Sequence, residues 1–323
     1  MFVRPLIYNI ILIFQAAALS SQQTSLISQA ARDPYFVNAA YAGLEGTLVA
    51  SAHYRNQWIK LDGHPKTILI ASHFPIYKIK SGFGFCIGQD QIGLHTELFI
   101  KPSLNHVWKV NDWLLSGGLQ LDLKSLSFNA DNARTPDGEY SNGQIDHRDP
   151  ELSNVDLNSG FIDLGASIFI QRANYKLGFS ADRLLESRST KQGLPYKNSR
   201  EFRVLGLSDF EWANIKVRSG IMLYTNLNRF QTDFFSNFEH NGNIFGGLHV
   251  RGYNGNSMES LGITAGFALT RKLQLAYTHE FYLGKIDKGQ VTGSQEMGLY
   301  YNLGRAVGLG KAPRIIHSPR YSD

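Results

Sequence analysis

The chain has 323 residues, a formal net charge of +5 and a single cysteine, Cys86. One cysteine excludes an internal disulfide framework, and basic residues that stand singly, with no run of five or more, argue against a nucleic-acid groove. A mean hydropathy of -0.21 with 43% hydrophobic and 12% aromatic residues suits a soluble protein. It suits a membrane barrel equally, because half of each strand in such a barrel faces water.

Residues 1–20, "MFVRPLIYNIILIFQAAALS", carry one early arginine, an apolar stretch and small residues at the end. That is the order of a secretory signal peptide, with cleavage expected near Ala18 to Ser21. Asn9 and Gln15 interrupt the apolar run, which is short for a membrane span. Residues 21–44 are read as a periplasmic N-terminal segment. From residue 45 to 304 strand-like segments recur, and 305–323 is read as a periplasmic C-terminal tail.

Period-two alternation marks the strands. In "TLVASAHYRNQW", Leu48, Ala50, Ala52, Tyr54 and Trp58 take one face, and Thr47, Ser51, His53, Arg55 and Gln57 take the other. "KTILIASHF" follows after the turn-like "LDGHP", and "SGFGFCIG" comes next. "ELFIKPSLNHVWKV" and "DWLLSGGLQLDLKSL" are joined by a turn at Asn111-Asp112. Further pairs run through "FIDLGASIFIQ" and "YKLGFSAD", "REFRVLGLSDF" and "IKVRSGIMLYT", then "QTDFFSNFEH" and "NIFGGLHVRGY". The clearest pair is "SLGITAGFALTRKLQLAYTHEFYLG", and "EMGLYYNLG" completes the series.

Connections alternate between short ("VND", "RAN", "TRK") and long. The longest, Phe128 to Asn158, is polar and rich in Asp, Asn and Gly. Short turns on one side, long loops on the other and about 14 strands predict an all-β fold, a transmembrane antiparallel β-barrel of the outer membrane. The other reading is a secreted sandwich, whose strands seldom run so long or place so many Gly, Ser and Thr on the polar parity.

Motifs for chemistry fail on spacing. "LGRAVGLGKAP" is one residue too long for a phosphate loop and has Ala312 where Ser or Thr would hold magnesium. Ser51 and His53 share a parity, as a hydrolase would need, but adjacent same-face Ser and His are common by chance. No catalytic residue, metal site or cofactor is expected. The polar parity instead carries Arg55, Glu97, Lys101, Asp122, Lys124, Asp163, Lys176, Asp182, Lys216, Arg218, Arg251 and Glu280. Charges of both signs facing one lumen predict pairing across it, hence a filled or plugged barrel.

The region Arg32 to Pro75 contains "DPYFVNAAYAGLEG", "HYRNQW" and "LDGHPKTILIASHFPI". It resembles the PorP/SprF family of type IX secretion and gliding-motility membrane proteins of Bacteroidetes. Asp33-Pro34, Asn38, Tyr41, Gly43, Tyr54-Arg55, Gln57-Trp58, Asp62-Gly63, Pro65 and Thr67 match the family pattern, while Ala39 replaces its usual proline. Asp90, Ile92 and Gly93 in "GFGFCIGQDQIG" match a later motif. The resemblance implies an outer-membrane barrel that binds and anchors a secreted adhesin, or its C-terminal domain bearing a type B signal. It also implies links to the periplasmic secretion ring or a peptidoglycan-binding protein, and to outer-membrane lipid, with no nucleic acid. An outer-membrane solute channel is the alternative.

For the motif, Tyr54, Arg55, Gln57, Trp58, Pro65 and Thr67 are read as family-motif or lumen residues. Asp33, Pro34, Asn38, Tyr41 and Gly43 belong to the expected periplasmic segment. Client docking is expected at Asp62 and Gly63 and along the acidic loop, at Asp131, Asp137, Tyr140, Asp146 and Asp149. Asp62-Gly63 and Pro65 are turn formers, so "KLDGHPK" should close the first hairpin on the outer side.

Overall fold

Strand after strand in this chain buries its polar parity and exposes its apolar one. In β1 (Thr47–Asn56), Thr47, Val49, Ser51, His53 and Arg55 are buried, whereas Tyr54 is exposed. The computed structural model describes residues 27–129, 132–135, 137–140, 146–148, 157–189, 196–253, 257–284 and 292–306. Among them Leu119 is 70% exposed and Ile162 63%, while Asp163 and Thr278 are fully buried. In water that inversion would leave large apolar patches unpaired, whereas lipid accepts them.

The strands after β1 are β2 (Lys66–Ile76), β3 (Ser81–Ile92), β4 (His95–Val110), β5 (Trp113–Phe128), β6 (Leu157–Arg172) and β7 (Tyr175–Asp182). A small hairpin, β8 (Arg188–Ser189) and β9 (Tyr196–Lys197), lies within the next connection. Then come β10 (Glu201–Trp212), β11 (Ile215–Thr225), β12 (Phe230–His240), β13 (Ile244–Tyr253), β14 (Ser257–Ala268), β15 (Leu273–Tyr282) and β16 (Ser294–Ala306). All but β8 and β9 form one closed antiparallel barrel of fourteen strands, sealed where β1 pairs with β16. Closure leaves no ladder edge unpaired, which a hydrocarbon surround requires.

At the end where β1 begins, the connections are short: 77–80, 111–112, 173–174, 213–214, 241–243 and 269–272. The other end carries 57–65, 129–156, 183–200 and 283–293, together with the short 93–94, 226–229 and 254–256. Outer-membrane barrels turn their long loops outward. Exposed Trp108, Trp113, Tyr175, Phe210 and Trp212 crowd the short-turn end, as an interfacial aromatic girdle does. Residues 1–26 and 307–323, the expected signal peptide and most of the expected tail, lie outside the described residues. Among those described, no helix is long and apolar enough to cross a membrane.

Candidate functional site: a plugged lumen and its outer rim

The expected periplasmic segment is inside the barrel. Asp33 accepts the Tyr35 N–H and Asn38 accepts the Ala40 N–H, each folding the chain into a short 3-10 turn, Pro34–Phe36 and Ala39–Tyr41. Asx side chains that bond their own backbone make such turns locally, and Pro34 presets the first. The two turns are then fastened to the wall all round. Ser28 N–H donates to Glu296 on β16 and Gln29 Nε2 to Thr278 on β15. Ser51 on β1 donates to Asp33 at 2.6 Å, and Tyr35 OH meets Ser103 on β4 at 2.7 Å.

Ser116 on β5 donates to Ala40 O, Ser167 on β6 accepts from Ala40 N–H, and Ser180 on β7 donates to Val37 O. A segment that touches strands on every side of a closed ring lies within it. Asp33, Pro34, Asn38, Tyr41 and Gly43 are therefore lumen residues, and their expected periplasmic position is corrected. The physical reason is complementary size. A Cβ at Gly118 would stand 2.7 Å from Ala40 N, and one at Gly82 would overlap Ala42 O, so inward glycines seat the plug backbone. The sequence signal was present as the Gly, Ser and Thr of the inward parity, which alone say only that the interior is polar.

His73, fully buried on β2, joins both ends of the plug. Its Nδ1 accepts the Gly43 N–H at 3.1 Å and its Nε2 lies 3.3 Å from Asp33 Oδ1. Because Nδ1 is the acceptor, the ring proton sits on Nε2 and points at the carboxylate. Burial pushes the Asp33 carboxyl up, but the bonds from His73, Ser51 and the Tyr35 N–H outweigh it and hold the group below the usual carboxylate range.

Around the plug, expected lumen charges pair. Arg55 bonds Glu280 at 2.5 Å and Glu296 at 3.2 Å, and Arg251 bonds Asp233 at 3.0 Å and Glu280 at 3.3 Å. Lys101 meets Asp122, Lys124 meets Glu97, and Lys176 and Arg218 share Asp209. The partners Asp209, Asp233 and Glu296, and the Arg183, Glu201 and Arg203 that cluster with Asp182, were not singled out from the sequence. Register puts Arg55 opposite Glu296, Arg218 opposite Asp209 and Arg251 opposite Asp233, and alternation alone cannot supply register. Ser51 bonds Asp33 whereas His53 bonds Glu296, so the two form no relay.

Within the family motif, Arg55 and Thr67 face the lumen, and Thr67 Oγ1 donates to Asp90. Tyr54, on the apolar parity of β1, is outward and exposed. Gln57 opens the first hairpin turn, its N–H bonding Pro65 O, and half-buried Trp58 donates its N–H to Ser294.

At the outer rim, Gly93 N–H bonds Gly63 O and Asn129 N–H bonds Leu94 O. The turn at Asp62-Gly63, the β3–β4 turn and the base of the acidic loop thus stand in a row. Within that loop Tyr140 OH accepts the Thr135 N–H and meets His147, and Asp146 accepts the Arg148 N–H. Arg148 also pairs with Glu139 at 2.8 Å, so one carboxylate of the loop is neutralised within it. Asp137 is exposed; Asp131 and Asp149 lie outside the described residues. Residues 183–189 and 196–200 fold inward: buried Asp163 accepts from the Leu185 and Ser187 N–H groups and from Asn198. A cavity of about 440 Å³ remains between the plug, β3–β5 and this inward loop, and another of about 590 Å³ at the short-turn end.

Lipid-facing strands around a chain-filled lumen define a plugged membrane β-barrel of the outer-membrane type. The chain belongs to the PorP/SprF family of type IX secretion system membrane proteins, whose family model matches residues 19–301. A comparison with curated proteins returned no match. Among solved structures it is similar to the Acinetobacter baumannii outer membrane protein Omp33, at 5% identity over 80% of this chain and 98% of that one, TM-score 0.45. It is also similar to the KdgM porin, at 9% identity over 78% and 98%, TM-score 0.36. A mutant porin of Rh. blastica shares 9% identity over 80% and 99%, TM-score 0.35.

Proposed function

We propose that this barrel anchors a secreted surface protein, an adhesin or its C-terminal domain, at its outer rim and is linked through its short-turn end to periplasmic secretion machinery. The observation that carries this reading is the sealed lumen: chain 27–43 and paired charges fill the bore, so the rims are what the molecule offers to partners. On the outer rim, Asp62-Gly63 and the Phe128–Asn158 connection meet around one turn. A connection of that length exceeds what joining two strands needs, and long loops of this kind are usually functional.

The test replaces residues 131–156 by a short Gly/Ser linker. The barrel should keep its heat-modifiable mobility on gels while the surface protein escapes into the medium. A client still attached at wild-type level would sink this docking site. The two cavities flanking the plug favour solute passage as the second reading; it expects a steady, large conductance from the purified protein in planar bilayers.

A further inference from the structure

We infer that the outer cavity is a binding pocket for an extended polypeptide segment that presents a basic side chain, an inference that deepens the docking reading and rests on it. Asp90 on β3 and Glu97 on β4 are direct cross-strand partners, and both line the cavity. Like charges directly opposite each other destabilise a sheet unless a cation lies near both. Glu97 has Lys124 at 3.1 Å and Arg183 at 3.8 Å. Asp90 has only the hydroxyl of Thr67, at 2.7 Å, and makes no ion pair among the described residues. The missing cation belongs on the Asp90 side.

The same cavity holds an unfilled donor. Arg183, 8% exposed and in its lining, spends Nη1 on Glu201 at 2.6 Å, while Nε, 3.9 Å from Asp122, makes no hydrogen bond and Nη2 reaches only to 3.8 Å from Glu97. A guanidinium carries five N–H donors, so this one has capacity left for a carbonyl. Leu69, Phe99 and Leu126 line the space between, suited to the aliphatic stem of Lys or Arg and to an apolar neighbour. A bare cation would satisfy Asp90 but not Arg183, and an anion the reverse. A peptide with a basic residue brings a cation, carbonyls and apolar atoms together.

Ile92 and His95, in the cavity's lining, flank the β3–β4 turn at 93–94, the shortest connection of the outer rim, which lies hydrogen-bonded between the two docking segments.

The experiment titrates the full-length mature protein in detergent with N-acetyl-Leu-Arg-Leu-amide, its neutral citrulline counterpart and arginine amide. The arginine peptide should bind at least about tenfold tighter than the citrulline peptide. Asp90→Asn should erase that difference at unchanged thermal stability, and Arg183→Gln should weaken both peptides alike. Equal affinity of the two peptides, arginine amide binding as tightly as the peptide, or no saturable binding would each overturn the pocket. Client release after loop replacement reads the docking proposal separately. Release without peptide discrimination removes the pocket alone; discrimination without release removes the docking site and leaves a peptide pocket.

Discussion

Replacing Asp33 by alanine probes what holds the plug in the bore. Its carboxylate, 2% exposed, accepts from Ser51 Oγ at 2.6 Å, the Tyr35 N–H at 3.2 Å and His73 Nε2 at 3.3 Å. With the side chain gone and the plug in place, the two wall donors, Ser51 and His73, lose this acceptor at buried positions. Each such buried donor costs about 1–3 kcal/mol. When the plug leaves, water satisfies both, so the change weighs on the closed state alone.

The balance between plugged and open barrel should move by about 2–6 kcal/mol, roughly 30-fold to 10⁴-fold in population. The bonds from Asn38, Ala40 and Ser28 to the wall remain and oppose the release. Single-channel recording should show openings that the wild type lacks, and added protease should cut within 27–46. A closed trace with unchanged protease resistance in Asp33→Ala would refute the hub role of this carboxylate.

Acid should act through the same group. Because the Asp33 carboxyl is held below its ordinary value, its contribution is complete above the unfolded pKa of about 3.9 and is lost as pH falls through the folded one. Openings should therefore rise below about pH 4, and Asp33→Asn should abolish that component; flat recordings down to the pH of unfolding would contradict it. Leu164→Arg, outward at mid-strand on β6, should cost about 2–4 kcal/mol in urea unfolding from lipid vesicles, and a neutral effect would mean the lipid face is wrongly assigned. Ser167→Arg on the opposite parity should act differently, because Ser167 accepts the Ala40 N–H: barrel stability holds while the plug is expelled. Gly118→Val should do the same, since its Cβ would meet Ala40 N at 2.7 Å; a closed channel in that variant would show that the plug can shift aside.

Strand alternation was legible from residue 47 onward because lipid and lumen sort side chains by parity, a local property of the chain. The same rule exposed Arg55, Lys101, Asp122 and Arg251 as inward charges and predicted that they pair. It could not say with whom: Arg55 finds Glu296 through the β1–β16 register and Glu280 across one further strand, and both are products of closure.

The N-terminal motif was equally visible as turns, from Asp33-Pro34 and Asn38, yet its place was misread. A short segment with few charges reads the same whether it hangs in the periplasm or fills a bore. The inward glycines at Gly82 and Gly118 that make room for it lie 40 residues or more away in sequence from the contacts they admit. Asp90 shows the same limit. A motif marked it, but only the β3–β4 pairing set Glu97 opposite it, and only the inward fold that follows β7 brought Arg183 to the same cavity. Sequence by itself determined the barrel, its strand faces and its long loops, all governed by local periodicity. The plug, the ion-pair partners and the outer pocket were decided by tertiary structure, because each depends on which distant strands closure brings together.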